Sequence, residues 1–152
     1  GDDYLARQCF TEVVDRRRSL WGKSDLRTLD AMFWLTDVYV EPGQPYANIP
    51  MADEVTEQYR RLLPKRHPRL IKAILNNAWV RSYSGNFKQT ALLANEGLEL
   101  AMETYGENHS TTYDAMLVVG LLTHRNGDHQ EGARLLEKAW TGLSETAGAS
   151  HP

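Results

Sequence analysis

The chain has 152 residues, 41% of them hydrophobic and 24% charged, a balance that excludes a disordered polymer and suits one folded domain or a short array. Its net charge of −3 offers no overall attraction to nucleic acid or anionic lipid, and no apolar run reaches the roughly 20 residues a membrane helix needs. One cysteine, Cys9, excludes an intrachain disulfide, and five scattered histidines supply no zinc-ligand spacing, so a reducing, cytoplasmic setting without metal or cofactor is expected.

Self-similarity organises everything else. Gly43, Gly85 and Gly127 recur every 42 residues, as do Asp25, His67, His109 and His151, and His151 precedes Pro152 just as His67 precedes Pro68. Gly22, Gly106 and Gly148 keep the same register, with Pro64 in the remaining place. Apolar columns follow: Met32, Ile74 and Met116; Cys9, Met51, Leu93 and Leu135; Val55, Gly97 and Ala139. Recurrence at a fixed interval of this length is the mark of stacked supersecondary units.

In chain order, residues 4–21 read as the second helix of a preceding unit, with Cys9 as a small buried hydrophobe in its apolar column. Unit one, 22–63, is irregular. Its stretch Glu41-Pro42-Gly43-Gln44-Pro45-Tyr46 is turn-rich, so its second helix is expected to start near Asn48 or Ile49 with Pro50 in the first turn. Unit two, 64–105, opens a helix at Pro68 with Ile71, Ile74, Leu75 and Ala78 at helical spacing and closes it at Gly85. Its second helix starts at Asn86, with Gln89 reaching back, and carries a stripe of Leu92, Leu93 and Leu100. Unit three, 106–147, repeats this with Asp128 and Glu131 as the cap and Leu135, Leu136, Ala139, Trp140 and Leu143 as the stripe. Gly120 shares a column with Ala78, where small residues let paired helices approach. Residues 148–152 begin a further unit. The fold expected is all-α: an α-solenoid of antiparallel helix pairs forming a right-handed superhelix, with apolar edges partly uncovered at its two ends.

This pattern resembles the tetratricopeptide repeat (TPR) of the kinesin light chain type. The residues that carry it are Gly106-Glu107-Asn108-His109, Leu75-Asn76-Asn77-Ala78, Gly85-Asn86-Phe87, Gly127-Asp128-His129 and the run from Ala133 to Trp140. Asn77 and Arg81 stand where that family prefers Leu and Tyr, and Thr90 and Gly132 where it prefers Ala. The resemblance implies a concave groove lined by the first helix of each unit, a protein or peptide as ligand, and no catalytic residues. Such arrays also form the sensing tails of NLR-like signalling ATPases.

On the first helices, columns 32/74/116, 35/77/119, 36/78/120 and 39/81/123 read as inward-facing from their apolar or small content. The remaining stripe, which the resemblance places on the groove, holds Asp30, Phe33, Trp34, Asp37 and Glu41 in unit one. In unit two it holds Lys72, Leu75, Asn76, Trp79 and Tyr83; in unit three, Asp114, Leu117, Val118, Leu121, His124 and Arg125. Asn76 matches a groove asparagine whose amide can pair with a peptide backbone, although Leu75 replaces a frequent companion asparagine. Trp34, Trp79, Phe33 and Tyr83 are rigid apolar groups of the kind that anchor partners, while the plain alternative is that they fill space between units.

Other signals favour structural readings. Arg60, Arg61, Lys65, Arg66, Arg69 and Lys72 form a basic stretch, with Arg16-Arg17-Arg18 one unit earlier; cations at helix C-termini complement the helix dipole as readily as they form a ridge for phosphate or an acidic peptide. No nucleic-acid motif is present. Asp53 and Glu54 are adjacent on a helix and face apart, so they form no acid–base pair, and His124 with His129 lacks a third ligand. The sequence therefore predicts a non-catalytic module that binds a protein or peptide, without nucleic acid, membrane or cofactor. The competing reading is a structural spacer or a self-association element that pairs through its end helices.

Overall fold

A computed structural model describes residues 2–38, 48–83 and 87–148. Among them are seven helices and no strand: α1 (Asp2–Trp21), α2 (Leu26–Val38), α3 (Ile49–Leu62), α4 (Pro68–Arg81), α5 (Phe87–Tyr105), α6 (Ser110–Arg125) and α7 (His129–Gly148). Each helix packs on the next in the chain, and the leading helices α2, α4 and α6 also touch in sequence. The architecture is an all-α repeat solenoid.

The leading helices start at Leu26, Pro68 and Ser110, 42 residues apart, and the residue before each start explains why. Asp25 Oδ1 accepts the backbone N–H of Arg27 at 2.9 Å, His67 Nδ1 that of Arg69 at 3.2 Å, and His109 Nδ1 that of Thr111 at 3.1 Å. The recurring Asp/His/His column is thus an N-cap, supplying an acceptor to an amide that has no partner inside its own helix. For the two histidines this role needs Nδ1 unprotonated. At the other end, Gly22 and Gly106 follow α1 and α5 with φ of +82° and +84°, a left-handed turn in which a Cβ is penalised. Asp128 Oδ1 accepts from the Glu131 amide at 3.1 Å and starts α7. Pro50 falls in the first turn of α3, where its missing N–H leaves no bond unmade. Gly43, Gly85, Asn86, the stretch 41–46, His151 and Pro152 lie outside the described residues; Gly148 is the last residue of α7.

The core follows the inward columns. Met32, Ile74 and Met116 are buried, and so are Val55, Gly97 and Ala139 on the trailing helices. Between α6 and α7 the helices come close enough to explain one departure from the family pattern. A Cβ on Gly120 would lie 3.1 Å from the carbonyl oxygen of Gly132, and a Cβ on Gly132 would lie 2.7 Å from the amide nitrogen of His124. Alanine at 132 would force the pair apart.

Three expectations about burial need correction. Cys9 is exposed, because no described helix precedes α1 to cover that side. Leu92 is 67% exposed, pointing from α5 into an open cleft beside α3 rather than into the stack. Trp140 is 72% exposed. Its counterpart one unit earlier, Leu98, is half-buried against Tyr113 and Met116 of the following helix, and no described helix follows α7.

Candidate functional site

The leading helices carry the groove stripe, and helical spacing decides what it presents. On α2, Phe33, Trp34 and Asp37 lie about one turn apart on one face; on α4, Lys72, Leu75, Asn76 and Trp79 follow at three- and four-residue spacing along two turns of one face. Together with Thr111, Asp114 and Val118 of α6 they line a depression of about 360 Å³. A second hollow of about 290 Å³ shares Phe33, Trp34 and Lys72 with it and adds Asp30, Tyr59, Pro68 and Arg69.

The aromatic groups are arranged in two edge-to-face pairs. Phe33 and Trp34 have ring centroids 5.4 Å apart at 74°, and Trp79 and Tyr83 5.9 Å apart at 88°. Trp34 is 49% exposed and Trp79 37%, so these indoles are held by a neighbouring ring without being absorbed into the core. Arg125 stands over the Tyr83 ring at 5.4 Å and donates to the Ser82 carbonyl at 3.1 Å, tying the end of α4 to α6. Tyr83 and Arg125 therefore extend the wall beyond the depression. Leu121 is half-buried on α6 and lines neither hollow, and Leu117 packs inward on Tyr113, Met116 and Ala139.

Asn76 is nearly buried and already engaged. Its Nδ2 donates to Asp37 Oδ1 at 3.0 Å, and its Oδ1 lies 2.9 Å from the Thr36 hydroxyl, whose proton is shared with the Phe33 carbonyl at 2.7 Å. One amide N–H and one lone pair remain by valence. The asparagine thus joins α2 to α4 first, and any pairing with a peptide backbone would be partial. Leu75 is buried beside it, touching the space where Gly97 lacks a side chain.

Charge in this wall is unevenly paired. Asp30 accepts the Tyr59 hydroxyl at 2.5 Å and an ion pair from Arg69 at 3.1 Å; burial and that bond push the Tyr59 hydroxyl well above its ordinary value. Asp114, although solvent reaches it, sits where burial raises its carboxyl above the usual 3.8, with Lys72 and His109 pulling the other way. Neither Lys72 nor Asp114 makes a direct ion pair with a described residue, and Asp37 has only the neutral Asn76 amide as its described partner.

Sequence reasoning missed Thr111, Tyr59, Pro68 and Arg69 in these hollows. Thr111, Asp114 and Val118 share a helical face, so the spacing could have found the first. Tyr59 comes from a trailing helix, and only packing brings it there.

The trailing helices make a different feature. Between α3 and α5 opens a cleft of about 600 Å³, floored by Asn77 and Arg81 of α4. Arg81 donates to both Asp53 oxygens at 2.6 and 2.7 Å and to Asn77 Oδ1 at 3.0 Å, while Asn77 Nδ2 reaches Asp53 at 3.0 Å and Thr56 at 3.2 Å. The two departures from the family pattern at 77 and 81 are therefore one compensated polar cluster. The arginines of the basic stretch are likewise paired: Arg60 with Glu96 at 2.6 Å, Arg66 with Glu103 at 2.9 Å, Arg61 with Glu57 at 3.1 Å and Arg69 with Asp30 at 3.1 Å. Arg18 to Glu54, at 3.5 Å, is the Arg60–Glu96 pair one unit earlier. No group of three or more His, Cys, Asp or Glu able to hold a metal ion occurs among the described residues, and none of their helices is long and apolar enough to cross a membrane.

No family model and no curated protein matches the sequence. Solved structures do match. A kinesin light chain-like protein of Podosopora anserina with nearly identical TPR-like repeats aligns, in one crystal structure of a single-residue variant, over 97% of this chain and 69% of its own, at 18% identity and a TM-score of 0.76. A second crystal structure of that protein aligns over 96% and 69%, at 18% identity and a TM-score of 0.72. BtubC (BKLC) from P. vanneervenii covers all of this chain and 60% of its own, at 12% identity and a TM-score of 0.78. At these identities the likeness shows fold: the chain has the solenoid architecture of kinesin light chain-like TPR repeats.

Proposed function

We propose that this chain is a non-catalytic, cytoplasmic binding module that holds an extended peptide or a helix of a protein partner along the wall of α2, α4 and α6. On this reading 22–63, 64–105 and 106–147 are its repeats, and it serves as the sensor or scaffold part of a larger, NLR-like signalling chain. The observation that carries the binding assignment is the depression between successive leading helices, in which two half-exposed indoles and unpaired polar groups converge from separate repeats. Rigid aromatic area at the centre of a hollow is what binding hot spots are made of. The test uses peptides selected on the intact chain from a random octapeptide library displayed on phage. Trp79→Ala should weaken them by about tenfold or more while the helical circular dichroism stays unchanged. Unchanged binding would show that the wall is not the binding surface.

A second reading, self-association, is favoured by the end helices, where Trp140 is 72%, Leu20 70% and Leu5 59% exposed. Light scattering across concentration separates the two, because a strict monomer that captures peptides supports the first.

A further inference from the structure

Resting on the groove reading, we propose that the depression between α2, α4 and α6 selects a cationic side chain, arginine or lysine, of the bound peptide, seating it against the Trp34 and Trp79 indoles and the Asp37 carboxylate. The chain contains a worked instance of this recognition elsewhere. At the start of α2, Arg27 lies over the Trp21 ring at 3.9 Å while its Nε and Nη2 donate to the two Asp25 oxygens, both at 2.9 Å. Indole, guanidinium and carboxylate form a closed set there. The groove presents the indole and the carboxylate of that set to whatever enters it.

Three features support the parallel. First, Trp34 and Asp37 are three residues apart on α2 and share a face, while Trp79 stands three residues after the Asn76 that is bonded to Asp37, so both indoles flank that carboxylate. Second, the neighbouring arginines are committed elsewhere, Arg69 to Asp30 and Arg125 to Ser82 and the Tyr83 ring, which leaves Lys72 as the one cation in the lining among the described residues. No cation among the described residues stands over Trp34 or Trp79. Third, the titratable groups lining the depression are Asp37, Asp114 and Lys72, an excess of one negative charge, and burial already disfavours the charged form of Asp114. A cation entering beside an indole gains from the ring quadrupole and from the two carboxylates of the lining. An anionic side chain would meet Asp37 and Asp114 instead.

The same phage-displayed octapeptides provide the test, selected on the full chain and counter-selected on Trp79→Ala. Retained peptides should share an arginine or lysine at a fixed position. Replacing that arginine with citrulline, or that lysine with acetyl-lysine, removes the charge and should weaken the synthetic peptide by about tenfold. On Asp37→Asn, which keeps an oxygen for Asn76, the charged and neutral peptides should differ by less than about threefold; Asp114→Asn gives a smaller reduction in the same direction. Retained peptides without a fixed cation, or neutral peptides that bind the parent as well as charged ones, overturn this inference and leave the groove reading standing. If no Trp79-dependent peptide emerges, both fall.

Discussion

The wall of α2, α4 and α6 and the cleft between α3 and α5 are both open and both lined with charged groups, yet they differ in what those groups are doing. In the cleft every arginine of the floor and rim meets a carboxylate of its own chain: Arg81 with Asp53, Arg60 with Glu96. In the wall, Asp37 and Asp114 find no direct ion pair and two indoles stay half open. Size would choose the cleft, at about 600 Å³ against about 360 Å³. Pairing chooses the wall. Groups satisfied within the chain hold the repeats together, whereas groups left unsatisfied at a concave surface retain free energy for a partner.

That contrast can be broken by substitution. The largest effect is expected in the cleft: Asp53→Ala strips Arg81 and Asn77 of their shared acceptor and should cost about 2 kcal/mol in urea denaturation, the order seen when a hydrogen-bonded polar group loses its charged partner. A loss under about 0.5 kcal/mol would mean that the cluster is ornamental. His109→Ala removes the cap of α6 and should cost about 1 kcal/mol by the same measurement. Asp37→Asn, in the wall, should leave stability within about 0.5 kcal/mol while impairing capture of cationic peptides. A pronounced loss of stability would place Asp37 among the structural groups and erase the contrast.

Acid titration sharpens the same comparison through sign. Hydrogen bonds from Arg27 hold the Asp25 carboxyl at about 2, below its ordinary 3.8, so its contribution is complete above 3.8 and is lost as pH falls towards 2. Asp114 is shifted upward by burial, so it favours the fold when protonated and the benefit is lost as pH rises past 3.8. At neutral pH, Asp25→Asn should therefore lower the melting temperature and Asp114→Asn raise it slightly. Equal signs would refute the assignment of burial as the leading cause at Asp114. The smallest effect belongs to Arg60→Ala: its pair with Glu96 is solvent-exposed on both sides, and the change in stability should stay below about 0.5 kcal/mol.

Much of this molecule was readable before any coordinates. The 42-residue recurrence of Asp25, His67 and His109 marked the starts of α2, α4 and α6 because an N-cap must occupy one fixed place relative to its helix. Met32, Ile74 and Met116 were legible as core for the same reason, since a helix repeats its inward face at a fixed angle. Most of the candidate wall was readable too: Phe33, Trp34, Asp37, Lys72, Leu75, Asn76 and Trp79 share one hollow. Leu121 lines neither hollow, and Cys9, Leu92 and Trp140, expected to be buried, are exposed. Periodicity assigns a face to a helix without saying whether a neighbour stands opposite it.

What the sequence determined by itself is the local and periodic part: helix type, helix starts, the turn glycines and the inward columns. Each of these depends on contacts within a few residues or on one repeated angle. Tertiary structure alone decided which polar groups far apart in the sequence meet. Asp53 meets Arg81 across 28 positions and Asp37 meets Asn76 across 39, and such encounters depend on how far one helix is displaced along another. Availability for a partner is what remains after those encounters are made, so it is a property of the stacked array and of no single repeat.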